Sequence, residues 1–302
     1  MAYRDRTSTK IKGAILAQLV KLTYRLPKLM VFGFAYLVNL ISRLTRSRSN
    51  RVIRQNLALC YPELSVPETE QLIKQIHFHN ACLLSEFATA WLGRRDQILN
   101  QIGQIHHQSV IDDLLEQNKT VVVAVLHLGN WEYLWQWLQI HYPAFGMYQP
   151  SKFKQLDEIV LESRTKFGGK AHSTDPKGIM GLLKQLRQHG VMMILPDQAP
   201  REGAGIYTPF FGHPAYTMTL LHKLLIKSGA TLVFGNSIRN TQQSCFDIHL
   251  EKASFDCHEP SVEVFNQQMN QQIEAIVRRW PAQYQWNYKR FKRQPEGKKI
   301  YD

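Results

Sequence analysis

Six consecutive residues, His127-Leu-Gly-Asn-Trp-Glu132, contain an imidazole, a capping amide and a carboxylate. They follow a β-branched apolar run (119–127) that predicts a strand buried on both faces. The histidine then falls at the strand's carboxyl end, Asn130 caps the next helix, and Glu132 lies in that helix's first turn. A carboxylate one loop away can hold an imidazole in one tautomer and stabilise the imidazolium. With no Ser or Cys beside it, such a pair activates a substrate hydroxyl or water rather than a side chain. Taken alone, the same spacing equally fits a capping Glu beside a half-buried His, favoured by the helix dipole. A second run, 191–195, ends the same way, in Asp197-Gln198, so two strands deliver polar residues to one edge. Arg164 borders the apolar stripe Leu156, Ile159 and Val160 of its helix, whereas Glu162 and Lys166 are expected to face away. A guanidinium on a packed side needs an anionic ligand group or a structural acid such as Asp197.

The elements that position these residues alternate. Strands are predicted at 119–127, 144–148, 191–195 and 231–236, with an edge strand at 246–253. Helices are predicted after Asn130, over 156–167 with Gly168-Gly169 as the stop, from Asp175-Pro176 to about 190, and over 215–227. The order implies an α/β fold: a mostly parallel central sheet with helices on both faces, whose ligands gather at the carboxyl ends of strands.

Charge separates the chain into parts. Net charge is +13; residues 1–54 hold 12 Lys/Arg against one acid, residues 276–302 hold 8 against 2, and the middle is slightly acidic. Basic ends attract nucleic acid, anionic bilayers or acidic proteins. In the first segment, Ile11, Ile15, Leu19, Leu22 and Leu26 form one helical face, and Lys10, Lys21, Arg25 and Lys28 another, as in a helix lying in a membrane interface. Residues 29–42 carry no charge, but as a helix they cover about 21 Å, short of a bilayer core of ~30 Å. The expectation is an N-terminal hydrophobic and amphipathic helical membrane anchor over 1–55, spanning or interfacial, followed by the catalytic domain over 56–302. A buried core helix is the alternative. Residues 284–293 alternate aromatic and basic side chains, which suits base stacking, a bilayer or an acidic surface, and the pattern alone does not choose among them.

Other patterns exclude more than they suggest. Four scattered cysteines (Cys60, Cys82, Cys245, Cys257) read as free thiols in a reducing compartment. Arg4 to Lys12 leads into no short apolar core with a cleavage site, so no signal peptide is expected. There is no nucleophile elbow, P-loop or dinucleotide-binding turn. His77 and His79 lack nearby thiolates, which argues against metal binding.

Together these motifs resemble the secondary lauroyl/myristoyl acyltransferases of lipid A biosynthesis. The resemblance runs from RQNLALCYPEL (54–64) through HLGNWE (127–132), YQP (148–150), RTKFGG (164–169), DQ (197–198) and PFFGHPAYT (209–217) to RRWPAQYQWNYKRFK (278–292). Glu132 stands where wider glycerolipid acyltransferases usually carry Asp, which makes a glycerol-phosphate acceptor less expected. The resemblance implies transfer of a fatty acyl chain from acyl carrier protein, with acyl-CoA as the alternative donor, to a hydroxyl on an acyl chain of a Kdo-lipid A precursor. It implies no metal or organic cofactor, no nucleic acid, and partners in acyl carrier protein, the lipid A precursor and anionic phospholipid. The place implied is the cytoplasmic face of a bacterial inner membrane, within lipopolysaccharide biosynthesis. His127 would be the base, Glu132 its orienter, Arg164 the ligand of an anionic acceptor group or of the oxyanion, and the turn at Asn130 and Trp131 a source of oxyanion donors. Asp197 and Gln198 are placed at the substrate edge without a role. The alternatives are a lysophospholipid or glycolipid acyltransferase, an acyl thioesterase, and a basic membrane- or nucleic-acid-binding protein without chemistry.

Overall fold

The computed structural model describes residues 7–45, 47–297 and 299–301. Arg4, Asp5, Arg6, Arg46, Lys298 and Asp302, counted among the charged ends, lie outside the described residues, as do the side chains of Lys28 and Arg43. In chain order the elements begin with α1 (Thr7–Arg25), α2 (Lys28–Leu44), α3 (Arg48–Cys60), α4 (Val66–Leu92) and α5 (Arg95–Leu99). The α/β part continues with β1 (Ile102–His106), α6 (Ser109–Glu116), β2 (Val121–Gly129), α7 (Trp131–His141), β3 (Ala144–Tyr148), α8 (Lys154–Thr165), β4 (Lys170–Ser173), α9 (Pro176–Gln185) and β5 (Val191–Ile194). It closes with β6 (Gly205–Phe210), β7 (His213–Met218), α10 (Leu220–Ser228), β8 (Thr231–Asn240), β9 (Cys245–Lys252) and α11 (Val262–Arg279).

Seven strands form one sheet in the order β1-β9-β8-β2-β5-β3-β4, parallel except where β9 returns antiparallel to β8. β2 lies at its centre and is apolar on both faces, as its unbroken Val/Ala/Leu run requires. Val122, Ala124, Leu126 and Leu128 pack into a core that includes Ile53, Ile73, Leu224 and Ile273 of α3, α4, α10 and α11. Val121, Val123 and Val125 point the other way, onto Leu114 of α6 and Trp135, Trp137 and Leu138 of α7. The boundary expected at residue 55 falls inside α3, whose Val52, Ile53 and Leu57 share this main core.

Two expectations are corrected. Residues 215–218 are a strand, and the helix begins only at Leu220. Pro209 and Pro214 face each other across a β6–β7 hairpin whose turn residues, Phe211 and Gly212, both have positive φ (47° and 75°). That two-residue turn matches the twist of paired strands and overrides the helical spacing that follows it. Strand β9 is not an edge, because β1 pairs with its outer side.

α1 and α2 lie against the globule rather than inside it. α1 turns Gly13 and Ala17 inward, with Gly13 facing Gln155 of α8, and leaves Ile11, Ile15, Leu19 and Leu22 about half exposed. α2 buries Val31 and Ala35, sets the Phe32 ring edge-on to Phe78 of α4, and exposes Leu29, Met30, Phe34, Leu37, Val38 and Ile41. The uncharged segment is therefore not a core helix. Among the described residues no helix is long and apolar enough to cross a membrane.

Candidate active site

β2 and β5 are neighbours in a register that pairs Val121 with Val191 and Ala124 with Ile194. The same offset carried past the strand ends sets His127 beside Asp197. Asp197 Oδ1 lies 2.8 Å from His127 Nδ1, and its Oδ2 accepts the His127 backbone N–H at 2.9 Å. The carboxylate is 1% exposed, whereas 17% of the imidazole remains open. Burial pushes the Asp197 carboxyl up, but the His127 charge and hydrogen bonds, with a contribution from Arg290, outweigh it and hold the group below the usual carboxylate range. Asp197 therefore stays ionised, and an ionised carboxylate on Nδ1 keeps the proton there and leaves Nε2 as acceptor.

This corrects the role expected for Glu132. Its carboxylate, 4% exposed, accepts from Arg164 Nη2 at 2.6 Å and from the Trp131 indole at 3.1 Å, not from His127. The cause is the turn between β2 and α7. Gly129 has φ +59°, and a Cβ there would sit 2.0 Å from the Ser237 carbonyl, so only glycine fits. Asn130 then caps α7 by accepting the Glu132 N–H at 3.1 Å, and the helix start carries the carboxylate toward α8. Asn130 is fully buried and also donates to Glu86 at 3.3 Å, so its side chain is spent inside the protein rather than offered to substrate. Its backbone N–H is spent too, on the Ser237 carbonyl at 2.9 Å.

Arg164 meets Glu132, not Asp197, and lies over the Trp135 ring with 5.4 Å to the centroid. Glu132 Oε2 and Arg164 Nε are buried without a hydrogen-bond partner among the described residues. Lys166 does not face solvent as expected. It donates to the carbonyls of Ala90, Trp91 and Gly93 at the end of α4, and burial pushes it down to about 8. His79 lies with Nδ1 2.5 Å from Arg239 Nη1; burial and that guanidinium push it down to about 3, which keeps it neutral beside the cation.

The C-terminal run is the largest surprise. Tyr284, Trp286, Arg290 and Phe291 are all buried, so these aromatic side chains and one of the four basic side chains of 284–293 pack into the protein, whereas Lys292 is exposed. The segment folds back over the sheet edge: Gln285 N–H donates to the His127 carbonyl at 3.0 Å, and Gln198 Nε2 donates to Gln285 Oε1 at 2.8 Å. Arg290 donates to the Tyr216 carbonyl and the Thr217 hydroxyl at 2.7 and 2.9 Å. Asn56 of α3 holds the turn by donating to the carbonyls of Trp286 and Tyr288. A cleft of about 10 Å³ between these residues and His127 has room for no more than about one water. The signal for this wrapping was the aromatic content of 284–291, which exceeds what a solvated arm needs.

A carboxylate–imidazole pair thus stands at the carboxyl edge of a mostly parallel sheet in an α/β fold. The chain matches the bacterial lipid A biosynthesis acyltransferases over residues 9–293, and it belongs to that family. It is 25% identical to the lipid A biosynthesis lauroyltransferase of Escherichia coli over 255 residues, covering 83% of this chain and 81% of that one. It is 24% identical to a lipid A biosynthesis acyltransferase of Haemophilus influenzae over 297 residues, covering 96% and 92%. The lipid A biosynthesis palmitoleoyltransferase of Escherichia coli is 24% identical over 253 residues, covering 83% and 81%.

Proposed function

We propose that the chain transfers a fatty acyl group from acyl carrier protein to a hydroxyl on an acyl chain of a lipid A precursor, with His127 as general base. The observation that carries this is the Asp197-bound Nδ1 of an imidazole that remains partly exposed. Nε2 takes the proton of the acceptor hydroxyl as its oxygen attacks the thioester carbonyl. The new C–O bond forms, the C–S bond breaks, and the imidazolium returns its proton to the departing thiolate. Asp197 stabilises the imidazolium in between. The Trp131 N–H, at the start of α7, is the remaining backbone donor of this turn for the oxyanion. Arg164 would take an anionic group of the acceptor through the part of its side chain that stays exposed (15%), with Glu132 fixing the guanidinium plane. No step needs a metal or organic cofactor. Mass analysis of products from a labelled lauroyl thioester and an under-acylated lipid A precursor tests the reading. Acceptor mass should rise by one acyl group. Free fatty acid alone would point to a thioesterase, and acylation of a lysophospholipid in preference would move the acceptor class.

We infer further that α1 and α2 lie flat in the surface of an anionic bilayer, which would place the enzyme on the cytoplasmic face of a bacterial inner membrane. The supporting facts are the outward apolar residues of both helices and the lysines and arginines beside them. Replacing Phe34 and Leu37 together by Asp should lower binding to anionic vesicles by at least about tenfold, since each large apolar side chain withdrawn from water contributes ~1.5–3 kcal/mol. Co-sedimentation measures it; undiminished binding would remove α2 from the interface.

A further inference from the structure

A hollow of about 420 Å³, within the range of small-ligand sites, lies at the junction of α2, α4 and the β8–β9 turn. Its polar lining is Tyr36 of α2, Gln71, Lys74, Gln75 and His79 of α4, and Thr241 of the turn. Gln71, Lys74 and Gln75 are three and four residues apart and His79 follows one turn on, so α4 presents all four on one face. Tyr36 joins them because Phe32, one turn before it, docks α2 on Phe78. The Tyr36 hydroxyl and the side chains of Gln71, Lys74, Gln75 and Thr241 have no hydrogen-bond or ion-pair partner among the described residues. His79 Nδ1 accepts from Arg239 at 2.5 Å, because a guanidinium can only donate, so the ring carries its own proton on Nε2. That leaves Nε2–H as a further donor on a residue of the wall. The acids of α4 are spent elsewhere: Glu68 on the Ser65 cap, Glu70 on Arg54 and Glu86 on Arg239. Among its described residues the lining therefore brings one full positive charge and no carboxylate. Proton transfer at His127 uses none of these groups.

We propose that this hollow binds the head of one anionic phospholipid, with the phosphodiester on Lys74 and the His79 Nε2–H and the head's hydroxyls on the amides of Gln71 and Gln75. The proposal rests on the placement of α2 in a bilayer surface, not on the acyl-transfer reading. Tyr36 lines the hollow from the same helix that exposes Phe34, Leu37 and Val38, so a lipid whose chains lie beside α2 has its head at the mouth. Amides and hydroxyls both donate and accept, which suits a polyol head. An ammonium-bearing head would set a second cation against Lys74, so the charge selects a net-negative one.

The test titrates the full-length protein, in nonionic detergent, with dihexanoyl phosphatidylglycerol below its micelle concentration and reads the heat of binding. Dihexanoyl phosphatidylcholine and inorganic phosphate are the parallel probes. Phosphatidylglycerol should bind saturably. Lys74→Glu, an exposed substitution expected to leave Tm unchanged, should weaken it at least about tenfold, and Lys74→Arg should keep it. Replacing Phe34 and Leu37 together by Asp should leave this soluble lipid bound as in the wild type. Equally tight binding of phosphatidylcholine or inorganic phosphate, or undiminished binding by Lys74→Glu, would overturn the site. Saturable, Lys74-dependent binding without co-sedimentation on anionic vesicles would keep the hollow and sink the bilayer placement, whereas co-sedimentation without such binding would do the reverse.

Discussion

Asp197→Asn is expected to lower kcat by between about 10² and 10⁴, with little change in KM. The substitution keeps the shape of the side chain and can still accept the His127 backbone N–H, so the β2–β5 edge should hold. It removes the charge that keeps the proton on Nδ1 and stabilises the imidazolium. An amide can instead donate to Nδ1, which turns the ring into the tautomer that cannot take a proton at Nε2. The same charge faces buried Arg290, so some loss of thermal stability accompanies the loss of rate. Steady-state kinetics on folded Asp197→Asn, checked by circular dichroism, decide it. A loss below about tenfold would mean that Asp197 is scaffolding and that another group orients the base.

The second large effect concerns the Arg164–Glu132 pair. Arg164→Met alone strands a carboxylate that is 4% exposed, which costs about 3–5 kcal/mol and lowers Tm by several degrees. Adding Glu132→Gln removes the uncompensated charge and should return most of that stability. Activity should not return with it. If the pair served only to dock α8 on α7, the double variant would recover transfer together with Tm; if Arg164 meets the acceptor, the double variant stays folded and at least about a hundredfold slower. Thermal melts and kcat/KM on the four members of this cycle separate the two.

The partners of this site show where sequence reading reaches and where it stops. His127 and Asp197 each follow an apolar run, so their arrival at one sheet edge was legible in the pattern alone. Their pairing was not. It depends on the β2–β5 register, a cross-strand fact that no single run encodes. The spacing of His127 and Glu132 suggested contact because both lie near one turn, yet Gly129 in the left-handed region redirects α7 and hands the carboxylate to α8. The helical spacing over 11–26 does form α1, with Ile11, Ile15, Leu19 and Leu22 exposed, whereas the strand at 213–218 was hidden because its order comes from hairpin pairing rather than periodicity. The pattern at 284–293 left its surroundings open for a related reason. Charge counts treat every arginine as solvated, and Arg290 is buried on main-chain and hydroxyl oxygens that only tertiary packing supplies.

The most direct test of the account is transfer of labelled lauroyl from acyl carrier protein to an under-acylated lipid A precursor, with wild type and His127→Ala compared under identical conditions. The wild type should add one acyl group to the acceptor by mass. Folded His127→Ala should add less than about one hundredth as much, because the base that takes the hydroxyl proton is gone. Acceptor acylation by His127→Ala at the wild-type rate would contradict the central claim.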